Sequence, residues 1–198
     1  TAATGIDAMV HAIEAYTSNV KKNCYADMLA QNALKLLNHN LTKVLKNGAD
    51  LEARQNMLVG SMLAGQAFAN APVAAVHALA YPLGGHFHLS HGHTNALVLI
   101  EVLKFNAPKA KHHYAELMQL LDPRSTGCTD GLCDLFIDHM QNHLDQSGLT
   151  LKLKDLDIPE AKLPQLAKDA MLQTRLLQNN PREMTEQDAL QIYQAIYA

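Results

Sequence analysis

Histidines and acidic residues are grouped in this sequence in a way that suggests metal binding. Five of the eleven histidines fall within seventeen residues: His77, His86, His88, His91 and His93. Neutral imidazole is a common ligand of divalent first-row metals. Upstream, Asp7 and His11 stand four positions apart among apolar neighbours, so on a helix both would project from one face. A buried carboxylate is costly unless it is paired or metal-bound, and the pattern is therefore consistent with a site of one carboxylate and three imidazoles.

Simpler interpretations of the same residues remain open from spacing alone. Asp7 fits a first-turn helix acid favoured by the dipole, and His11 fits a core histidine bonded to a backbone carbonyl. The His11 and Glu14 pair suggests a carboxylate-bridged di-iron site, but such sites repeat Glu-x-x-His on several helices, and this chain has no such repeat. His93 is predicted to be solvated, whereas His86 and His88 are either surface imidazoles or pocket residues that flank the site. The other histidines lie in polar helical settings and are predicted to be solvated: His39, His112, His113, His139 and His143.

The elements that must position these residues are predicted to be helices, because apolar residues recur at helical spacing along most of the chain. The predicted helices cover residues 4–18, 25–46, 51–68, 91–105, 108–121, 131–144, 159–176 and 186–197. Thr4 is the predicted N-cap of the first, and Thr185 with Asp188 the predicted capping box of the last. The small-residue helix 51–68 is expected to be central and buried. A break is expected before Pro108.

A strand-like alternation at 149–156 has no partner strand, so it is interpreted as an extended connector. Without a repeat or a linker, the expectation is a single all-α, bundle-like domain over residues 1–198. There is also no Gly-rich phosphate loop after a strand, and so no dinucleotide fingerprint. The opening Thr-Ala-Ala-Thr-Gly lacks Met and runs almost at once into a helix, which suggests a piece of a longer protein.

Composition excludes several classes of function. The 198 residues are 48% apolar and 18% charged, as in ordinary globular domains. A net charge of −3 argues against a nucleic-acid partner, and no apolar stretch approaches the roughly 20 residues of a membrane span. Three cysteines without a Cys-x-x-Cys pair, and no leader pattern, fit reduced thiols in a cytoplasmic protein.

Three segments resemble the iron-containing (group III) alcohol dehydrogenases, and the resemblance extends over essentially the whole chain. The first is TGIDAMVHAIEAY, residues 4–16. The second is AFANAPVAAVHALAYPLGGHFHLSHGHTNALVLIEVLKFN, residues 67–106. The third is NNPR, residues 179–182, followed by a capped final helix. By this resemblance the chain corresponds to the C-terminal helical metal-binding domain, which in the family follows an N-terminal α/β nucleotide-binding domain.

The resemblance implies that Asp7, His11, His77 and His91 are the metal ligands, holding Fe²⁺ or alternatively Zn²⁺ or Ni²⁺. The implied reaction is oxidation of a small-molecule alcohol to an aldehyde or ketone. In it the metal is a Lewis acid and NAD or NADP accepts hydride. Many members carry a histidine four residues after the third ligand, near the nicotinamide. Tyr81 stands there, so it is the expected catalytic and cofactor-contacting residue. Pro72-Val73-Ala74-Ala75 replaces a Gly-rich approach to His77.

Two alternatives accompany this hypothesis. The related dehydroquinate synthase and glycerol dehydrogenase groups share the two-domain plan with other ligand sets, and the Asp7 and His11 pair favours the alcohol dehydrogenases. The other is a non-catalytic helical metal-binding or oligomerisation module, inactive without the nucleotide-binding domain. Such a fragment would expose apolar surface that favours self-association, as in a homo-oligomer.

Overall fold

The computed structural model describes residues 1–198, and its regular secondary structure is entirely helical, with no β-strand. Two single-turn 3₁₀ segments, Lys154–Leu156 and Glu160–Lys162, lie between the sixth and seventh helices. The helices are α1 (Ala2–Tyr16), α2 (Cys24–Lys46), α3 (Leu51–Asn70), α4 (Ala75–Phe87), α5 (His91–Leu121), α6 (Thr129–Asp145), α7 (Leu163–Ala170), α8 (Thr174–Leu177) and α9 (Glu186–Ala195). The all-α prediction is confirmed. Segment 149–156 forms no strand, but it is not extended throughout, because Lys154–Leu156 form a 3₁₀ turn.

Helix α1 is buried among three other helices. It contacts α2, α3 and α5, and ten of its fifteen residues are buried. Its apolar residues Ile6, Met9 and Ile13 are almost completely inaccessible to solvent. Helix α4 packs against α5 and α7, and its Leu79 carbonyl accepts a 2.6 Å bond from the Tyr193 hydroxyl of α9. Helices α1 and α4 are therefore each held from several sides.

The ends of several predicted helices are corrected by the structure. Helix α1 begins at Ala2 with Thr1 as N-cap, and the Thr4 hydroxyl donates to the Thr1 carbonyl, so Thr4 does not cap the helix. Asp7 consequently lies beyond the first turn. Predicted helix 159–176 is broken into a 3₁₀ turn, α7 and α8. The capping box of α9 is confirmed, because Thr185 and Asp188 bond each other's backbone amides.

Helix α3 is not the central buried helix that its small residues suggested. Leu51, Leu58 and Met62 are each more than half exposed. Only one face is buried, where a Cβ on Gly60 would lie 2.9 Å from Leu37 of α2. The small residues thus allow α3 to approach α2 on that one side, and the opposite face carries apolar side chains in solvent.

Proline does not end α4 or α5. Pro82 lies inside α4, which continues to Phe87. Pro108 lies inside α5, which is 31 residues long in total. Contacts from the chain around Asn180 support α5 just before Pro108. The Asn106 and Asn180 carboxamides bond each other reciprocally at 2.9 and 2.7 Å, and Arg182 donates to the Phe105 carbonyl. These tertiary bonds offset the local cost of the proline.

The three cysteines are free, as predicted, with Cys133 buried. No single helix is both long and apolar enough for a membrane span. Only α3 and α4 taken together reach that length and hydropathy, and they are bent by 106° where they meet.

Two histidines predicted to be solvated instead connect α6 to α2. The Nε2 atoms of His139 and His143 lie 2.6 and 2.7 Å from the same acceptor, Asn38 Oδ1. His143 is buried, and burial, helped by the nearby His139, lowers the pKa of His143 from 6.5 to about 4. The prediction of solvated side chains at these two positions was wrong, because α6 turns this face toward α2.

The lowered pKa predicts acid sensitivity of the fold. The unfolded chain binds a proton at His143 more readily than the folded chain, so protonation favours unfolding. The contribution of neutral His143 to the free energy of unfolding is fully present above pH 6.5 and is lost as the pH falls toward 4. At pH 5 the loss reaches up to about 2 kcal/mol. Urea unfolding of the metal-free chain at pH 7 and pH 5 should show a smaller drop for His143→Gln than for the parent. Equal drops in both proteins would contradict the assignment.

Candidate metal centre

Asp7, His11, His77 and His91 meet at one point of the molecule. One ligand atom from each lies within 4.8 Å of the others. His77 is fully buried, Asp7 and His11 are partly buried, and the side chain of His91 is 46% exposed. The cluster is therefore closed on the side of α1 and α4 and open to solvent at His91.

The separations between the ligand atoms suit a divalent cation. His77 Nε2 lies 3.1 Å from His11 Nε2 and 3.8 Å from Asp7 Oδ1, and His91 Nε2 lies 3.6 Å from Asp7 Oδ1. Ligands about 2.1 Å from a tetrahedral ion are roughly 3.4 Å apart. One carboxylate oxygen with three imidazole nitrogens is a donor set that iron, zinc and nickel accept. The residues present fit such an ion.

Three helices position the four side chains. Asp7 and His11 lie one helical turn apart on α1, and His77 and His91 lie near the starts of α4 and α5. The His11 ring stacks on Phe68 of α3, with ring centroids 4.5 Å apart and planes inclined by 27°. The backbones of α1 and α5 approach closely at Gly92, directly after His91. Packing of four helices, rather than one local loop, thus assembles the cluster.

Asn95 lies in the centre of the cluster and was not predicted. It is fully buried, and its Nδ2 donates to Asp7 Oδ1 at 2.6 Å. The same nitrogen lies 3.2 and 3.3 Å from Nε2 of His77 and His91. Asn95 Oδ1 has no hydrogen-bond partner although it is buried. An unpaired buried oxygen costs free energy. The cluster therefore has an unsatisfied acceptor in addition to the imidazole lone pairs. A bound cation and its other ligands could satisfy these groups.

Glu14 contacts the cluster from behind. It is 4% exposed, and its Oε2 lies 2.7 Å from Nδ1 of His77. Its Oε1 accepts a 2.7 Å bond from the backbone amide of Val76. Glu14 therefore touches the ring edge of His77 that faces away from the other ligands.

The surroundings of His11 favour its neutral imidazole, which is the form that can coordinate a metal. Burial and then the neighbouring His77 lower the pKa of His11, and the charges of Asp7 and Glu14 oppose this only in part. Burial also raises the pKa of the Tyr81 phenol, assisted by the negative charges of Glu14 and Asp7. Tyr81 therefore keeps its proton near neutral pH and can act as a hydrogen-bond donor.

Comparison with known proteins decides the family. The family model described as "Fe-containing alcohol dehydrogenase family, C-terminal" matches residues 1–197. The chain belongs to the iron-containing alcohol dehydrogenase family. It is 41% identical over its full length to long-chain-alcohol dehydrogenase 1 of Geobacillus thermodenitrificans, of which it covers 50%. It is 35% identical to the 1,3-propanediol dehydrogenase of Klebsiella pneumoniae, of which it covers 51%.

Solved structures support the same assignment. The crystal structure of a 1,3-propanediol oxidoreductase superimposes with a TM-score of 0.95 at 34% identity, over 100% of this chain and 51% of that one. The alcohol dehydrogenase of Oenococcus oeni gives 0.92, also at 34% identity, over 99% of this chain and 51% of its own. The chain spans about half the length of these two proteins, and it corresponds to the C-terminal, all-α domain of the iron-containing alcohol dehydrogenase family.

The structure separates the other candidate residues of this iron-containing alcohol dehydrogenase domain. The Tyr81 ring lies beside the cluster, 5.8 Å from the His91 ring and 6.2 Å from the His77 ring between centroids. His86 instead meets Asp169 of α7 at 2.7 Å. His93 Nε2 lies 2.6 Å from the Thr150 carbonyl, and His88 is an exposed residue with a left-handed backbone at the end of α4. These three histidines are not part of the cluster.

Two residues of the site were missed from the sequence, although each carries a spacing signal. Asn95 follows His91 by one helical turn, and Glu14 follows His11 by three residues, so each shares a helix face with a predicted ligand. Glu14 was considered only as a bridging di-iron ligand. Glu14 reaches His77 from α1 and Asn95 reaches it from α5, so both roles depend on how these helices pack against α4, which spacing along one helix does not reveal.

Proposed function

We propose that this chain is the metal-binding half of an NAD(P)-dependent alcohol dehydrogenase that interconverts a small alcohol and its aldehyde or ketone. The observation that carries the proposal is the convergence of Asp7, His11, His77 and His91 in a chain of the iron-containing family. The four residues would hold Fe²⁺, with Zn²⁺ or Ni²⁺ as alternatives. When bound, the ion supplies Lewis acidity toward an alcohol or carbonyl oxygen.

The chain's own residues supply orientation and access. The open side at His91, 46% exposed, leaves room for a substrate oxygen to approach the cluster. Phe68 and Glu14 hold the rings of His11 and His77 from behind. A preorganised set of ligands lowers the cost of holding the reacting groups at bonding distance.

Tyr81 is the proposed residue for contact with the substrate or the nicotinamide. It is 41% exposed, beside His77 and His91, on the open side of the cluster. Because its pKa is raised, the phenol donates a hydrogen bond to a developing oxygen charge and is a poor general base. The cofactor, NAD or NADP, would be bound mainly by a nucleotide-binding domain joined to this one. The free thiols fit a cytoplasmic location.

The second candidate function is a non-catalytic helical module that binds metal or self-associates. The exposed apolar face of α3, with Leu51, Leu58 and Met62, favours it, because contiguous apolar surface promotes association. In this case the chain would bind metal or self-associate without supporting hydride transfer in any context.

A chimeric enzyme tests the two candidates. This chain replaces the matching half of the Geobacillus thermodenitrificans relative, with which it aligns over its full length. We expect reduction of NAD(P) by primary alcohols or diols, abolished by a chelator and restored by Fe²⁺, Zn²⁺ or Ni²⁺. The unmodified relative is the matched control for cofactor reduction.

The result that would contradict the dehydrogenase proposal is a folded, metal-loaded chimera that reduces no cofactor. Full turnover in chelator would equally contradict the role of the ion. Metal analysis of the 198-residue chain alone then decides whether the module function remains. About one equivalent of iron, zinc or nickel would support metal binding, and concentration-dependent association without metal would support an oligomerisation module.

A further inference from the structure

We infer that Glu14 is a positioning residue that fixes the tautomer of His77 and so presents the Nε2 lone pair of that histidine to the metal. The inference deepens the proposed function and rests on His77 being a ligand. It assigns a role to a buried acidic residue that is not itself one of the four converging groups.

The geometry leaves Glu14 one main ionisable partner. Its side chain is 5% exposed and that of His77 is 1% exposed, and the 2.7 Å contact joins Oε2 to Nδ1. No lysine or arginine lies within ion-pair distance of Glu14. Both carboxylate oxygens are used, one by His77 and one by the Val76 amide. The carboxylate is thus fixed at two points rather than free to rotate.

Hydrogen-bond chemistry then selects one tautomer of His77. An ionised carboxylate only accepts, so the neutral imidazole must carry its single proton on Nδ1. Nε2 is left with a lone pair. The surroundings agree, because the Asn95 amide nitrogen, a donor, lies 3.2 Å from that Nε2. His11 Nε2 lies 3.1 Å from the same atom.

The consequence for metal binding is direct. Only an unprotonated imidazole nitrogen can be a ligand, and the nitrogen pointing at Asp7 and His91 is the one left free by Glu14. A carboxylate behind a ligating histidine also makes that ring more basic toward the ion. Glu14 adds a second negative charge near the cluster, beside Asp7, which favours a dication over an empty site.

Glu14 has a structural role as well, and the experiment must separate the two. Helix α4 has no side-chain N-cap of its own, and the Val76 amide belongs to its first turn. Glu14 Oε1 satisfies this amide from α1, in place of a local cap. An alanine at position 14 would remove both roles at once and would be uninformative.

Glu14→Gln separates them because the two side chains have the same shape. The Gln Oε1 still accepts from Val76, whereas the Gln amide nitrogen must donate to His77 Nδ1. Placing the amide the other way would set two donors, the amide and Val76, against each other. His77 is then forced to carry its proton on Nε2, the atom that should bind metal. We expect Zn²⁺ affinity, measured by competition with a chromophoric chelator, to fall about 10–100-fold.

Nitrogen-15 NMR of the metal-free chain reads the tautomer itself. We expect protonated Nδ1 in the parent, protonated Nε2 in Glu14→Gln, and similar melting temperatures for both. The matched control is Glu116→Gln, which alters a 2.7 Å bond from Tyr16. Glu116 makes no hydrogen bond with His77, so the tautomer and the Zn²⁺ affinity should be unchanged.

The outcomes are distinguishable from failure of the proposed function. Protonated Nε2 in the parent, or unchanged Zn²⁺ affinity in Glu14→Gln, overturns the inference. If neither protein binds Zn²⁺, the proposed function fails, and the tautomer comparison still decides the role of Glu14. If Glu14→Gln does not fold, the tautomer of the parent alone decides it.

Discussion

Replacing Asp7 by asparagine is expected to abolish tight metal binding while leaving the fold intact. Asp7 supplies the only carboxylate among the four converging groups. Asparagine has the same shape as aspartate. It keeps an oxygen that can accept the hydrogen bond that Asn95 Nδ2 donates to Asp7 Oδ1 at 2.6 Å in the parent chain. What is lost is the negative charge that faces the cation. Because loss of an outer hydrogen-bond partner already costs 10–100-fold, we expect Zn²⁺ affinity to fall by more than about 100-fold.

The stability of the metal-free chain should change little or rise in Asp7→Asn. A partly buried carboxylate is unfavourable without a cation, and the neutral amide removes that cost. The matched control is Asp50→Asn at the N-cap of α3, where asparagine caps as well as aspartate. Metal content by mass spectrometry and chelator competition measure the effect. Unchanged affinity would leave Asp7 as an ordinary helix acid.

Gly92→Ala is expected to destabilise the fold by about 3 kcal/mol, at the upper end of overpacking effects. A Cβ at Gly92 would overlap the Ala3 carbonyl oxygen and lie 2.6 Å from the Ala3 carbonyl carbon. It would also lie 3.1 Å from the Thr4 amide nitrogen. These are backbone atoms, so no side-chain rotation can relieve the overlap, and α5 must move away from α1.

The same displacement should weaken metal binding, because α5 carries His91 and α1 carries Asp7, whose ligand atoms are 3.6 Å apart. Urea unfolding measures the loss of stability, and Zn²⁺ competition measures the loss of affinity. Gly65→Ala in α3 is the control, since nothing lies within 4 Å of a Cβ there. It should be neutral or stabilising by up to about 1 kcal/mol. A Gly92→Ala chain as stable as the parent would show that α1 and α5 can separate freely.

Which helices form could be predicted from the sequence because amphipathic spacing is a local property. The Asp7 and His11 pair was recognisable for the same reason, since one helical turn places both on one face whatever surrounds them. The capping box at Thr185 and Asp188 is equally local. Thr4 was misplaced as a cap, because several residues near the chain start could begin the same helix.

Burial and helix ends were less predictable where distant residues decide them. Pro108 would be expected to break an isolated helix, but the Asn106–Asn180 pair and Arg182 hold α5 together around it. His143 has polar neighbours along the chain, and only the packing of α6 on α2 buries it against Asn38. The bonds that support these positions join residues 74 to 105 positions apart.

The sequence by itself determined the all-α class and the set of residue types able to bind a divalent metal. It did so because helical periodicity and ligand chemistry reside in the residues themselves. Only the tertiary structure decided that His77 Nε2 lies 3.1 Å from His11 Nε2, across 66 positions of chain. It also decided that Glu14 and Asn95 complete the cluster. Such distances depend on how α1, α4 and α5 pack, and the close approach of α5 to α1 at Gly92 is one part of that packing.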